Sequence, residues 1–229
     1  MKYLLLHSNH SLCISCNKKL SSAISATFTF PDVFLLFSTF IILAIIVAIA
    51  YFISTKRLRY YRFANTRTTI LNPVPLTFSG LILGIGMGGF IDGILFHQIL
   101  QWHQMLSNKF SPDTIEAKSV NMFWDGLFHA FTLLVVFTGL IALWKVSRHN
   151  YAEKSGYLLA GGLLCGWSVF NLIEGTINHH ILGLHNVREK AAHITYWNHA
   201  FLATSAILFI IGYCIVSRYY KNPFKIIKT

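Results

Sequence analysis

The sequence predicts an all-α integral membrane bundle of five transmembrane helices. Three observations support this fold class: 54% of the residues are hydrophobic, only 12% are charged, and the apolar residues fall into five long stretches. A soluble domain carries about 25% charged residues, so a soluble fold of this size would lack a polar surface. With 15% aromatic residues and four cysteines, the chain is neither a disordered protein nor a disulfide-rich scaffold.

Each apolar stretch is long enough to cross a hydrocarbon core of about 30 Å, which takes about 20 residues. We expect helices, because coil and open strand edges leave backbone polar groups unpaired in lipid. The predicted helices cover residues 32–54, 76–104, 121–146, 156–182 and 193–216. The predicted domains are an extracytoplasmic segment at 1–31, the first helix at 32–54, a basic cytoplasmic loop at 55–75, a four-helix domain at 76–216 and a basic cytoplasmic tail at 217–229.

Lysine and arginine predict the orientation, because the short cytoplasmic loops of membrane proteins carry an excess of these residues. The excess lies in the first connection, the third connection and the tail. We therefore expect the N-terminus outside and the C-terminus in the cytoplasm of an inner (plasma) membrane protein. The net charge of +11 reflects these loops, so the expected partner is the lipid bilayer and not nucleic acid. A membrane-protein partner or a homo-oligomer stays open.

The segment before the first helix contains His7, His10 and a C-x-x-C pair, Cys13 and Cys16. Such a pair indicates a metal or redox site when a second pair follows at ligand spacing, and none follows here. We interpret the segment as an ordinary chain terminus, with a disulfide between the two cysteines as the alternative in an exported segment.

Ionisable residues inside the predicted helices are the strongest functional signal. A carboxylate at membrane depth costs about 2.5 to 3.5 kcal/mol and needs a partner, and histidine is the partner that this sequence offers. Only His149 of the eleven histidines falls on the predicted cytoplasmic side. We therefore expect four helices to bring imidazole and carboxyl groups into one polar layer near the outer surface.

A metal site is the first hypothesis for this layer, because imidazoles with carboxylates bind zinc, iron, manganese or copper, and helical bundles host such sites. We expect one histidine from each helix as a ligand, with two carboxylates as further ligands or as groups that orient the imidazoles. Asp92 is the candidate catalytic residue, as a base or as a partner of the ligands. An open coordination position would support hydrolysis or oxidation. The candidate metal ligands are His97, His129, His179, His199, Asp125 and Glu174.

Three alternatives stay open. Histidines on facing helices could hold haem in an electron-transfer protein, although three nearby carboxylates exceed what a porphyrin pocket requires. The layer could conduct protons or metal ions, but the inner halves of the helices carry almost no ionisable residues. The histidines could also be interfacial residues of a structural protein, which is our interpretation of His103, His185 and His193.

Helix geometry raises a difficulty for Asp92 and His97. Five residues at 100° each place them about 140° apart around an α-helix, so both cannot point at one centre. Either one of them meets a neighbouring helix, or glycine-rich backbone changes the helical pitch. Asp125 and His129, four residues apart, share a face without such a change.

Glycines at four-residue spacing mark the second and fourth predicted helices. Small residues one turn apart let helix backbones approach closely in lipid, so we expect the second helix to be central. The glycines are Gly80, Gly84, Gly88, Gly89, Gly93, Gly162 and Gly166.

An acid, a glycine and a histidine recur together three times, at 92–97, 125–129 and 174–179. The gap before the histidine varies and nothing else aligns. We interpret the recurrence as similar chemistry and not as an internal repeat.

The stretch GGFIDGILFHQILQWH at 88–103 resembles the signature of a bacterial family of multi-pass membrane proteins with a domain of unknown function. The resemblance extends over about 76–216, including FWDGLFH at 123–129 and the region from Glu174 to His199. It implies a membrane bundle without assigning an activity. Family members also occur beside oxidase-assembly proteins, so the resemblance adds a role in oxidase assembly, with copper or haem, to the alternatives.

Overall fold

The computed structural model describes residues 17–63, 69–221 and 226–227. Cys13, Cys16 and the two histidines before them lie outside these residues. Two short strands, β1 (Thr69–Ile70) and β2 (Ile226–Ile227), pair antiparallel. The other described elements are helical: α1 (Lys18–Thr27), α2 (Pro31–Phe63), α3 (Val74–Ile91), α4 (Ile115–Ser147), α5 (Gly156–Glu174), α6 (Ile194–Lys221) and two π-helical segments, Asp92–Ile99 and Gly175–Ile181, which continue α3 and α5.

The predicted fold class and the five membrane-spanning helices are confirmed. Five helices in the described chain are long and apolar enough to cross a membrane: Pro31–Leu58, Val74–Ile99, Ile115–Ser147, Gly156–Ile181 and Ile194–Tyr220. Helix α1 was not expected. Its N-terminus is capped by Asn17, whose side chain accepts a hydrogen bond from the Leu20 N–H. Helix α2 continues to Phe63, so part of the predicted loop at 55–75 is helical.

The connections between helices meet in pairs at the two ends of the bundle. At one end, Asn72 donates its backbone N–H to the Tyr151 carbonyl at 2.9 Å, which joins the first and third connections. At the other end, Asn108 donates to the Leu184 carbonyl at 2.9 Å, which joins the second and fourth. Which end faces the cytoplasm stays a prediction from the lysine and arginine distribution.

Glycines allow α3 and α5 to pack backbone against backbone, as the four-residue spacing predicted. A Cβ atom at Gly84 would overlap the Leu163 carbonyl oxygen, and one at Gly166 would overlap the Leu81 carbonyl oxygen. Helix α3 also contacts α2 and α4, which confirms that it is central. The α3–α5 contact is reciprocal, since a glycine of each helix faces a backbone carbonyl group of the other helix.

This reciprocity reflects an internal duplication of an α-helical hairpin. Gly166 lies 82 residues after Gly84, and Glu174 lies 82 residues after Asp92. The two spans built from α3 and α5 are each 26 residues long and each ends in a π-helical segment. Hairpins α3–α4 and α5–α6 therefore correspond through an approximate twofold axis between α3 and α5. Because α3 and α5 run in the same direction, the axis lies along the bundle.

The duplication corrects the interpretation of the recurring acid, glycine and histidine. The segments 92–97 and 174–179 are equivalent positions of a repeat, not only similar chemistry. The third segment belongs to the other helix of the hairpin. Its Asp125 accepts the Met105 N–H at 2.9 Å, just as Asn198 of α6 accepts the Val187 N–H at 3.0 Å.

Helices α1 and α2 break this symmetry because they cover only one face of the duplicated bundle. Leu36 and Leu43 of α2 are fully buried in the core. Thr39 donates a hydrogen bond to Asn178 at 2.9 Å, and Trp124 of α4 donates to Thr27 of α1 at 3.1 Å. The equivalent face beside Asp92 carries no helix of the described chain.

Candidate metal centre

The π-helical segments bring each acid onto the same face as the histidine five residues later. His97 Nε2 lies 3.2 Å from Asp92 Oδ2, and His179 Nε2 lies 3.0 Å from Glu174 Oε1. In a π-helix the backbone bonds from residue i to i+5, so residues five apart stack along the axis. The sequence left open either a contact with a neighbouring helix or a change of helical pitch, and the structure has the change of pitch.

Two further histidines enter from the turns that follow these segments. The backbone φ angle is positive at Gln101, +48°, and at Gly183, +55°, so the chain turns sharply at both positions. His103 and His185 follow two residues later. Both were interpreted as interfacial residues from the sequence, but they are 3% and 0% exposed.

Hydrogen bonds across the twofold axis orient these two imidazoles. His103 Nδ1 donates to the Val187 carbonyl and His185 Nδ1 to the Met105 carbonyl, both at 2.9 Å. Each partner lies on the other hairpin. Because a carbonyl only accepts, Nδ1 carries the proton, and Nε2 of the neutral ring presents a lone pair to the interior.

These residues form one buried group, which we call the His–carboxylate cluster: Asp92, His97, His103, Glu174, His179 and His185. The rings of His103 and His185 stack at 4.8 Å across the axis. The ring centroids of His97 and His103 are 4.5 Å apart, and those of His179 and His185 are 4.6 Å apart. The cluster thus has two equivalent halves, each with one carboxylate and two imidazoles.

Two groups of three residues in the cluster have ligand atoms close enough for one ion. Those of His97, His103 and His185 lie within 4.8 Å of one another, and so do those of Glu174, His179 and His185. His185 belongs to both groups. Metal–nitrogen and metal–oxygen bonds of about 2.0 to 2.2 Å, as zinc forms, place two ligands of one ion within such a distance.

The lone pairs in the cluster face one another. His97 Nδ1 donates to Asp125 Oδ1 at 2.8 Å, so Nε2 of the neutral ring is an acceptor that points at the Asp92 carboxylate. His185 Nε2 likewise points at Glu174 Oε1 at 3.0 Å. Two acceptors at such distances repel unless a proton or a metal ion lies between them. Each contact is therefore favourable either with a protonated imidazole or with a metal ion between the two atoms.

Asp125 lies behind His97, away from the cluster interior. Its carboxylate accepts from His97 Nδ1 and from the Met105 N–H. This is the position of a group that orients a ligating histidine, which is one of the two roles predicted for it. The other half has Asn198 at the equivalent position, and His179 Nδ1 has no hydrogen-bond partner.

The structure does not bring the two remaining predicted ligands into the cluster. His129 Nδ1 bonds back to the Asp125 carbonyl at 2.7 Å, and His199 Nδ1 bonds back to the Thr195 carbonyl at 2.7 Å. His199 is exposed. Phenylalanines at equivalent positions of α4 and α6 meet the cluster instead: Phe128 stacks on His97 at 5.8 Å and Phe201 on His179 at 5.5 Å.

A cavity of about 400 Å³ opens from the cluster end of the bundle to His103. Lys118 and Arg188 also line it, so its mouth is polar. Burial lowers the pKa of His103 to about 4, and a positive charge on the neighbouring His97 acts in the same direction. His103 is therefore neutral at physiological pH, which is the form that binds a metal ion. Burial also raises the pKa of Glu189 in the same cavity wall.

Comparisons with known proteins place this architecture in a family. No curated protein and no solved structure matches the chain. The family described as predicted membrane protein (DUF2243) matches residues 79–219, which run from the second turn of α3 almost to the end of α6 and contain the whole His–carboxylate cluster. Since this match covers more than half of the sequence, the chain belongs to that family of membrane proteins.

Proposed function

We propose that the chain is an integral membrane metalloprotein that binds transition metal ions in the His–carboxylate cluster. The observation that carries this proposal is the set of buried imidazole Nε2 atoms that point at buried carboxylates. The Nε2 atoms of His97, His103 and His179 have no hydrogen-bond partner. Buried polar atoms are almost always paired, so unpaired ones in a cluster of metal-ligand types indicate an ion.

The donor set indicates which ions the cluster suits. One carboxylate and two imidazoles in each half correspond to the two-histidine, one-carboxylate triad of non-haem iron sites, which leaves coordination positions open. We propose two ions, one held by Asp92, His97 and His103 and the other by Glu174, His179 and His185. Iron fits this set best, with zinc and copper as the other candidates. Such ions would supply metal-dependent oxidation, or hydrolysis as the second choice.

The lysine and arginine distribution supports an orientation in which the cluster lies on the extracytoplasmic side of the inner (plasma) membrane. The polar cavity that reaches His103 would then open towards that side. Ions would be taken up from outside the cytoplasm.

Haem and ion transport are less well supported. The four imidazole rings of the cluster contact one another at 4.5 to 5.8 Å between centroids, which leaves no slot for a porphyrin between axial ligands. For transport, the α3–α5 contact on the other side of the cluster is built from glycines and apolar residues. An absorption spectrum of the purified protein without a Soret band after haem supplementation would exclude haem.

Elemental analysis of detergent-purified protein tests the proposal. Wild-type protein should retain about two transition metal ions per chain. The His179→Ala variant should lose at least one of them, because its ring belongs to the Glu174 half. The matched control is His199→Ala, a histidine of the neighbouring membrane helix that lies outside the cluster, and it should retain both ions. Equal metal content in the two variants would refute the proposed ligands.

Replacement of Asp125 with Asn should weaken metal binding without removing a ligand. The amide keeps an acceptor for the Met105 N–H but removes the charge that supports His97. Loss of such an orienting group lowers metal affinity about 10- to 100-fold. Competition with a chelator measures the affinity, and Glu153→Gln, at the opposite end of the bundle, is the control. Unchanged affinity in Asp125→Asn would show that this carboxylate does not act on the site.

A further inference from the structure

A second cavity reaches the cluster from the side of the bundle, separately from the polar one. It has a volume of about 420 Å³ and lies between α3, α5 and α6, with the first π-helical segment at its end. Asp92 and Asn171 are polar groups in a lining that is otherwise mostly apolar. Five aromatic side chains contribute to that lining: Phe96, Trp102, Trp167, Trp197 and Phe201.

Because the bundle is duplicated, the Glu174 half has a position equivalent to this cavity. There Asn178, the counterpart of Phe96, holds Thr39 of α2 by a hydrogen bond of 2.9 Å. Phe40 of α2 packs on Phe128, the counterpart of Phe201, at 6.4 Å, and on Phe131 at 5.0 Å. One of two equivalent faces is therefore filled by a helix of the chain itself, and the other retains a cavity.

The side chains that differ between the halves keep this cavity open. Phe131 of α4 corresponds to Thr204 of α6, so the open face has a small residue where the filled face has an aromatic ring. Thr204 lines the cavity. The volume lies within the range of about 300 to 1,000 Å³ typical of small-molecule sites, and it is small for a further transmembrane helix.

We propose that this cavity binds a lipid-soluble molecule with a hydroxylated aromatic head, such as a hydroquinone, whose hydroxyl group donates to Asp92. The aromatic lining fits a flat ring, because ring pairs stack or meet edge to face at 4.5 to 7 Å. An ionised carboxylate accepts hydrogen bonds and offers no donor, so it selects a hydroxyl over a carbonyl or an ether. The position between membrane helices gives the molecule access from the lipid phase. The proposal does not depend on a bound metal ion.

Binding of decylubiquinol to the protein in lipid nanodiscs tests this inference. Fluorescence is a suitable readout because three of the five tryptophans line the cavity. Saturable quenching is expected with decylubiquinol, and at least ten-fold weaker binding with its dimethyl ether, which has the same shape without a donor. Equal binding of the two compounds would overturn the role of Asp92, and quenching that rises without saturation would show partition into lipid only.

The Thr204→Phe variant fills the cavity with the residue that the other half already carries. It should weaken decylubiquinol binding at least ten-fold while metal content stays at the wild-type level. The control is Thr138→Phe on α4, a threonine whose hydroxyl also bonds to the carbonyl four residues before it but which does not line the cavity. Unchanged binding in a Thr204→Phe protein that elutes as wild type on gel filtration would overturn the proposed site. Because metal content is measured separately, failure of the metal proposal remains distinguishable.

Discussion

Replacing His185 with Ala should remove the ion of the Glu174 half and weaken metal binding in the Asp92 half, which His185 adjoins. In the described chain His185 belongs to both groups of residues that could hold an ion, and its Nε2 atom lies 3.0 Å from Glu174 Oε1. The change also removes the hydrogen bond from Nδ1 to the Met105 carbonyl, which joins the two hairpins. We expect metal content to fall from about two ions per chain to about one or fewer. Mass spectrometry of the metals in purified protein measures it.

His180→Ala is the matched control for this prediction. His180 lies in the same π-helical segment as His179, but its Nδ1 bonds to the Gly175 carbonyl at 2.8 Å and its ring meets His199 outside the cluster. The control should keep wild-type metal content. If His185→Ala retained as much metal as His180→Ala, the shared position of His185 would be without consequence and the ligand sets would need revision.

Replacing Gly84 with Leu should destabilise the whole bundle. Even a Cβ atom at this position would overlap the Leu163 carbonyl oxygen, and that atom belongs to helix backbone that cannot move aside alone. Overpacking of a tight contact costs about 1 to 3 kcal/mol, and we expect the upper end of this range because α3 and α5 must separate. Unfolding in mixed detergent and denaturant measures the loss.

Gly126→Leu provides the comparison, since a Cβ atom at Gly126 of α4 would meet nothing within 4 Å. Its stability should equal that of the wild type. Separation of α3 and α5 also moves the two π-helical segments apart, so Gly84→Leu should lose metal together with stability. A Gly84→Leu protein as stable as Gly126→Leu would contradict the close packing.

Composition and hydropathy were sufficient to predict the fold class, because a helix that spans a membrane needs a long apolar stretch whatever its neighbours are. The polar layer was predictable for a related reason. Buried carboxylates such as Asp92 and Glu174 require partners, and histidine is the partner type that recurs beside them. The sequence pattern could not show which histidines contact these carboxylates.

Helical periodicity alone could not decide how Asp92 and His97 are arranged, and a change of pitch was one of the two solutions that the sequence left open. At 100° per residue, Asp92 and His97 diverge, whereas the π-helical segment aligns them. His103 and His185 lie beyond the helices, in turns whose shape depends on hydrogen bonds to the other hairpin. A gap-free comparison of 92–103 with 174–185 would have found them, because both stretches end in histidine.

Helix α2 covers one half of a duplicated structure and leaves the other half bare. Two sets of side chains with the same composition consequently differ in accessibility. One is enclosed by the chain's own helix, and the other borders a cavity next to the lipid. The added helix makes the halves unequal: it covers the Glu174 half, whereas the Asp92 half stays open to small molecules from the lipid.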